Sequence, residues 1–468
     1  MLAGIPQSPN NYSPYLNEEL AKKRQKIVLD SMVNNKDITE EEATDAFNEK
    51  LIYNKTDNNK YYDNLLYFRD SVIEELNSID SIPDSLINTG GLKIYTTLDS
   101  EAQLYLEDTV SENIKDSNNQ LQVAGIMMNP NDGSVLAILG GVDYNSSVYN
   151  RATKSIRQVG STMKPFLYYA ALENGFTSAS SFISEKTTFS FSNGNTYTPK
   201  NYNDSYANKS ISMGAAISYS DNIYAVKTNL FLGEDVLVKT AKNLGITSDL
   251  KPLPSLALGT EEISLIDMVN AYSSFASLGY KNTPHFIKRI EDRDGNTIYN
   301  FDTYRQEILD KNLCFILNEM LTYTYDSSFI DYNYPTVISL LPEMTNKYAI
   351  KTGTTNTDLW VIGYNKNVVL GIWEGYDDNR KLETSDNGIH KKIWISATEK
   401  YLSDKNNDWY EKPDDVVGVL VDPISGVLAT EESKKSKVFY FLKGTEPKNS
   451  DNNDLEMVWK EKSDDIIE

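Results

Sequence analysis

The stretch LQVAGIMMNPNDGSVLAILGG, residues 121–141, restricts the fold more than any other part of the chain. Two apolar runs flank Asn129-Pro-Asn-Asp-Gly133, a cluster of residues that reverses a chain. The pattern predicts a β-hairpin. Three more strand-like runs stand close together further on: YAIKTGTT from Tyr348, then LWVIGY, then VVLGIWEGY. Residues 160–340 mix helical patterns with polar loops rich in Tyr and Asn. The order strand and hairpin, then helices, then strands implies an α+β domain around one antiparallel sheet.

The flanking segments are read the same way. GLKIYTTLDS alternates apolar and polar residues as a half-buried strand does, and EAQLYLEDTVSENI reads as an amphipathic helix. Residues 17–79 look helical and highly charged. Within them, ITEEEATDAFNEKL offers Thr39 as an N-cap with acids in the first turn. SIPDSLINTGG breaks that pattern. VVGVLVDPISGVLAT, residues 416–430, reads as a further hairpin, and the polar, acidic residues 448–468 are expected to fray. No internal repeat is visible.

Composition excludes several function classes. With 45 basic against 67 acidic residues the formal net charge is −22. Such a surface repels nucleic acid and anionic lipid, and it reads as a solubility feature. Cys314 is the single cysteine. It lies in NLCFILNEML, an apolar helical stretch, and reads as a buried thiol with no basic partner to activate it. The two histidines, His285 in NTPHFIKRI and His390 in the polar stretch NGIHKK, have no companions at metal-binding spacing. Both read as structural or solvated. No cofactor is implied and no metal site is legible. MLAGIPQSPNNYSPY has neither the basic start nor the apolar core of a signal peptide, and no run of eighteen apolar residues occurs. A serine enzyme built from this chain would need a base other than histidine.

RQVGSTMKPFLYY, residues 157–169, supplies one. Pro165 is harmless only in the first turn of a helix, so a helix begins near Ser161 and runs through PFLYYAALENG. Residues i and i+3 share a face, which brings Ser161 and Lys164 within reach of each other. Gly160 leaves space before the hydroxyl. The helix N-terminus favours developing negative charge on the serine oxygen by about 0.3–1 kcal/mol. A lysine held away from water loses its proton more readily and becomes a base. That is a Ser–Lys arrangement for nucleophilic catalysis.

The same spacing recurs at Ser248 and Lys251, but KPLP prevents a helix through that lysine. Two further patterns follow the first in order. Ser220-Asp221-Asn222 lies in GAAISYSDNIYAV, and Lys351-Thr352-Gly353 closes a strand-like run. The tripeptide Ser-Asp-Asn also occurs at Ser385 and Ser450, in loops after Lys351; Lys-Thr-Gly occurs once. A glycine at 353 allows a ligand backbone to approach closely.

The order S-x-x-K, S-x-N, K-T-G, together with GGLKIYTTLDSEAQ, YNRATKSIRQVGSTMKPFLYYAALENG, LALGTEEISLIDMVNAYSSFA, KTGTTNTDLWVIGY, GIWEGYDDN and FYFLKGTEP, resembles the transpeptidase domain of bifunctional, class A penicillin-binding proteins. The resemblance runs from Gly90 to Pro447. It implies the transpeptidase fold shared with serine β-lactamases, a central antiparallel sheet flanked by helices. It implies residues 1–20 as the end of a glycosyltransferase domain, 21–89 as a helical linker, and 90–447 as the transpeptidase domain with its core at about 121–400. It also implies a chain that lacks glycan-polymerising activity, a point testable with lipid II.

The residue roles come from the resemblance. Ser161 would be the acylated nucleophile and Lys164 its base. Ser220 would relay a proton to the leaving group, bridging Lys164 and Lys351; Asn222 would hold the donor peptide's amide, and Lys351 would supply positive potential. Thr352, Gly353, Thr354 and Thr355 would form the substrate-binding strand, with Thr352 and Thr354 on the terminal carboxylate. The backbone N–H groups of Ser161 and Thr354 would form the oxyanion hole. Asp221 is expected to point away from the site. The partners implied are stem peptides ending in D-Ala-D-Ala and β-lactam antibiotics, with no nucleic acid. The parent protein would be membrane-anchored, working on the extracytoplasmic face of a bacterial membrane, and this chain a soluble fragment.

Three other functions share parts of this pattern. A D,D-carboxypeptidase shares the acyl-enzyme and differs only in the acceptor. A β-lactamase needs a glutamate after the S-x-N motif to activate water; the nearest look-alike, Glu74-Glu75-Leu76-Asn77, precedes Ser161 and reads as a solvated helix face. A binding module that senses peptidoglycan or β-lactams would dispense with Ser161 or Lys351, and both are present.

Overall fold

The computed structural model describes all residues except 52–64, 116, 118–119, 192–193, 406–407, 448–453 and 460–468. The chain forms two compact units, Met1–Asp63 and Asn64–Glu468. The first is helical. Asn17 caps the helix Glu18–Asn34 by accepting from Leu20 N–H. Thr39 opens Glu40–Asn48 with the expected cap, made reciprocal by Glu42. The Lys22 ammonium ties the two helices by donating to the Phe47 carbonyl at 2.9 Å.

The elements of the second unit that build the site are, in chain order, α1 (Ser100–Asn113), β1 (Gln122–Met128), β2 (Val135–Leu139), α2 (Lys164–Glu173), α3 (Met213–Tyr219), α4 (Asn222–Leu232), α5 (Leu265–Ala276), β3 (Ala349–Thr354), β4 (Asp358–Tyr364), β5 (Val369–Gly375) and α6 (Ile389–Leu402). The five strands form one sheet in the order β3-β4-β5-β1-β2, with every neighbouring pair antiparallel. The hairpin β1–β2 turns at Asn129–Gly133, as its sequence demanded; Gly133 supplies the positive φ of 81°.

Antiparallel sheets often leave one face to water, but β4 and β5 are buried at every residue. Helices cover both faces. A side chain added at Gly371 would strike Val269 of α5, whereas one added at Gly363 would strike Trp394 of α6. Gly363 pairs with Leu370, the neighbour of Gly371, so the two helices lie on opposite faces. α1 joins α6 on the second face. Trp360, Trp373 and Trp394 are fully enclosed. The result is an α+β domain whose sheet is the middle of three layers, with β3 as its edge strand.

Within the second unit the helix Leu65–Asn77 buries Tyr67, Phe68, Val72 and Leu76. The structure corrects three expectations. Glu75 is not solvated, since its carboxylate accepts the N–H groups of Phe286 and Ile287 at 2.5 and 3.3 Å; Glu74 is exposed. The segment 416–430 is not a hairpin on itself. Val416–Val421 pairs along its length with Lys437–Leu442, and only one bridge, Val421 to Leu428, follows the Asp422 turn. Finally, residues 454–459 are docked. Glu456 is buried against Lys227 at 2.8 and 2.9 Å, and Trp459 meets the edges of Phe182 and Phe189. The rest of the acidic tail, 448–453 and 460–468, lies outside the described residues, as does the copy of Ser-Asp-Asn at Ser450.

Candidate active site

The nucleophile candidate sits where two backbones touch. Gly160–Met163 forms one tight 3-10 turn that runs straight into α2, with Pro165 in its first turn. Gly160 has φ +56° and donates its N–H to Gly259 O at 3.0 Å. A Cβ there would lie 3.0 Å from Thr354 N, and one at Gly353 would lie 2.4 Å from Val159 O. Glycine is thus required at both positions for the Ser161 turn to lie against the end of β3. Ser161 is half-buried, and among the described residues its hydroxyl has no hydrogen-bond partner.

The next turn buries Lys164 completely. Its amine donates to Ser220 O and to Asn222 Oδ1, each at 2.6 Å, and lies 3.1 Å from Ser220 Oγ. From the other side Lys351, equally buried, reaches Ser220 Oγ at 2.9 Å and Thr352 O at 2.8 Å. One hydroxyl therefore bridges two amines. Burial pulls the Lys164 pKa down to about 7, with Asp221 opposing the shift. Burial and then the Lys164 charge hold Lys351 well below an ordinary lysine. A neutral amine has two N–H donors and one lone pair. The two short contacts of Lys164 account for the donors and leave the lone pair for a hydroxyl proton.

Ser220 takes a left-handed conformation, φ +59°, between α3 and α4. The Asn222 N–H donates to Asn201 Oδ1 at 2.7 Å and its Nδ2 to Lys200 O at 2.6 Å. Asp221 points away, as expected. Its Oδ1 caps α4 at Tyr224 N–H, and its Oδ2 accepts from Ser184 Oγ and Asn201 Nδ2 at 2.5 and 2.6 Å. Thr352 is half-buried and Thr354 exposed on the free edge of β3. The Thr355 N–H points inward to Asp358 O at 2.9 Å. Strand alternation then turns the Thr354 N–H outward, toward Gly160 and Ser161. The backbone N–H of Thr354 thus stands close to the Ser161 turn.

The structure thus brings Ser161, Lys164, Ser220, Asn222, Lys351, Thr352, Gly353 and Thr354 into one site. Thr355 adjoins them, but its hydroxyl is engaged by the β3–β4 turn. Sequence reasoning missed Asn201, which carries no local signal inside TPKNYNDS, and Gly259. The histidines stay away. His285 stacks on Phe301 with ring centres 3.5 Å apart. His390 is not in a loop but in the first turn of α6, buried, with Glu374 Oε2 accepting its N–H at 2.7 Å and lying 3.2 Å from its ring. Cys314 is buried and burial holds its thiol protonated. Ser385-Asp386-Asn387 is structural, with Asp386 accepting from Tyr376 at 2.7 Å.

Residues 123–382 match the family described as the penicillin binding protein transpeptidase domain. The chain belongs to the penicillin-binding protein transpeptidase family. Residues 412–455 also match the C-terminal domain of penicillin-binding protein 1A. Penicillin-binding protein 2D of Bacillus subtilis is 40% identical over 451 residues, which are 96% of this chain and 65% of that protein. Penicillin-binding protein 1A of Aquifex aeolicus is 27% identical, over 96% of this chain and 71% of its own length. The chain therefore spans less than two thirds of the Bacillus relative. Among solved structures, penicillin-binding protein 1A from Haemophilus influenzae shares the fold with a TM-score of 0.82, at 21% identity over 96% of this chain and 86% of its own. PonA1 from Mycobacterium tuberculosis, solved in complex with penicillin V, aligns with a TM-score of 0.64 at 22% identity, over 75% of this chain and 96% of that one. In this chain the two buried lysines, the bridging serine and the edge strand lie where the sequence patterns at Ser161, Ser220 and Lys351 come together. Among the described residues no helix is long and apolar enough to cross a membrane.

Proposed function

We propose that the chain is a serine D,D-transpeptidase that acts on stem peptides ending in D-Ala-D-Ala and is acylated by β-lactams. The observation that carries this reading is the convergence of Lys164 and Lys351 on Ser220 Oγ, at 3.1 and 2.9 Å, beside the open Ser161 turn.

The donor peptide adds to the free edge of β3 as a short extra strand. Its terminal carboxylate meets the Thr352 and Thr354 hydroxyls and the positive potential of Lys351, and its amide meets Asn222. Lys164, neutral near pH 7, takes the proton as Ser161 Oγ attacks the penultimate carbonyl carbon. The N–H groups of Ser161 and Thr354 stabilise the oxyanion, an effect worth roughly 2.7–4 kcal/mol per donor in other enzymes. As the tetrahedral species collapses, the C–N bond breaks and D-alanine leaves with a proton passed along Lys164 and Ser220. An amine from a neighbouring stem peptide then attacks the ester and loses its proton to the same lysine; as the ester C–O bond breaks, that proton passes to Ser161 Oγ and restores the hydroxyl. A β-lactam follows the first half only; its ring opens and the ester remains. The family resemblance supports the further reading that the protein acts on the extracytoplasmic face of a bacterial membrane.

Intact-mass spectrometry after incubation with a penicillin tests the reading. One stable adduct mapping to Ser161 is the expected result. Rapid turnover would mean a β-lactamase, and labelling that persists in Ser161→Ala would refute the nucleophile.

A further inference from the structure

Thr355 stood among the expected substrate-binding residues, yet its hydroxyl faces into the protein. It donates to Asp358 Oδ2 at 3.1 Å and accepts from the N–H groups of Thr357 and Asp358 at 3.2 and 2.9 Å. Asp358 is buried and takes two further bonds. Thr357 Oγ1 donates to Oδ2 at 2.6 Å, and the Trp373 indole N–H donates to Oδ1 at 2.9 Å. The Arg157 guanidinium lies 3.9 Å from Oδ1 and 5.1 Å from the centre of the Trp373 ring. Arg157 also bonds Ser155 Oγ, at 3.2 Å, and Asn379.

These contacts form a cage that ties together two segments flanking the site. The strand Ile156–Gln158, which carries Arg157, leads directly into the Ser161 turn. The turn that Asp358 braces carries Thr354 on its near side, and Trp373 anchors both to β5. The segment that leads into Ser161 and the turn that follows Thr354 are therefore joined through one cage, with the Asp358 carboxylate bonded to Thr355, Thr357 and Trp373 and near Arg157.

We propose that Asp358 is a positioning residue that sets the gap between the Ser161 and Thr354 N–H groups, and that Thr355 acts through Asp358 and not on substrate. The proposal rests on the serine transpeptidase reading. Its physical basis is that an oxyanion hole works only with donors about 2.7–3.1 Å from the developing charge. A misplacement of about 1 Å at a reacting centre costs on the order of 10²-fold in rate. Loosening the cage leaves the carboxylate contacts at Thr352 and Thr354 in place, so the loss falls on the chemical step.

The test is stopped-flow acylation by the chromogenic cephalosporin nitrocefin, which separates the dissociation constant from the acylation rate constant. Thermal melts are run in parallel. Asp358→Asn and Thr355→Val should lower the rate constant by roughly 10- to 100-fold, with the dissociation constant changed by no more than about twofold. Thr355→Ser, which keeps the hydroxyl, should restore the native rate to within about threefold. The double variant should be no slower than the slower single one, because both act through one cage. A native rate in Thr355→Val would overturn the proposal. So would a loss confined to the dissociation constant, which would put Thr355 on the substrate after all. If Asp358→Asn does not fold, the Thr355→Val and Thr355→Ser pair decides alone on the same criteria. Failure of the native chain to be acylated would overturn the transpeptidase reading itself, and this proposal with it.

Discussion

The two faces of the central sheet each hold a cluster of buried ionisable groups, and only one is equipped for chemistry. On the Ser161 face, burial drives Lys164 down to about 7 and Lys351 downward too. On the opposite face, burial drives Glu374 up to about 8 and His390 down to about 3. The perturbations are comparable in size. The difference is what surrounds them. The lysines share a hydroxyl and lie beside a half-open serine and an exposed strand edge, whereas Glu374 and His390 are sealed beneath α6. A displaced pKa marks a site only where a nucleophile and a path to substrate come with it.

The sharpest way to break this contrast is to remove a lysine. Lys164→Ala should slow acylation by a penicillin by roughly 10³-fold or more, as loss of a base does in other acyl-transfer enzymes, while circular dichroism stays native. Labelling at the native rate would strip Lys164 of its role. In the unaltered chain the rate should rise with pH through about 7, because the proposed mechanism uses the deprotonated amine. Glu374→Gln should leave that limb where it is; a shifted limb would show the two faces to be coupled.

A third buried charge, Lys227, differs from both clusters because it is paired with Glu456. Glu456→Ala strands that ammonium and should cost about 3–5 kcal/mol of stability by denaturant titration. Protein that remains folded should still be acylated at Ser161. A loss below about 1 kcal/mol would mean that the tail contact is not formed in solution.

The effect that shows itself most gradually belongs to Glu374. Its carboxyl holds a proton in the folded chain up to about pH 8 and in the unfolded chain only up to about 4.5. The stability it contributes is therefore complete below pH 4.5 and declines as pH rises to 8. Glu374→Gln should flatten that decline, changing the slope of stability against pH by on the order of 1 kcal/mol per pH unit. Equal slopes in both proteins would place the ionised form in the native state.

What the sequence disclosed was whatever local chemistry dictates. Asn129–Gly133 reverses the chain on its own, and Pro165 tolerates only the first turn of α2, so the hairpin and the Ser161–Lys164 helix were both legible. The runs around Lys351 were legible as strands because each is apolar and short. Partners chosen across the fold were not. Asp422 through Gly426 makes a strong local turn, yet Val416–Val421 pairs with Lys437–Leu442, since Phe439 and Phe441 bury there and the nearer segment offers no comparable apolar side chains. His390 looked like a loop residue because its neighbours are polar, and its burial is decided by Glu374, sixteen positions away. Ser161 stands in the 3-10 turn that precedes α2 and Lys164 opens that helix, but Lys164 bonds Ser220 and Asn222, a geometry that emerges only when distant segments meet.

Ser220 also bears on how such a protein could be hardened. A side chain in the left-handed region costs roughly 1–2 kcal/mol that glycine would not incur, and φ +59° places Ser220 there. Selection for robustness alone would drift toward glycine at this position and would gain a firmer fold without the hydroxyl that bridges Lys164 and Lys351. Persistence of serine in a stabilised library, when cell-wall synthesis is required of every survivor, would be the footprint of function holding a strained residue in place.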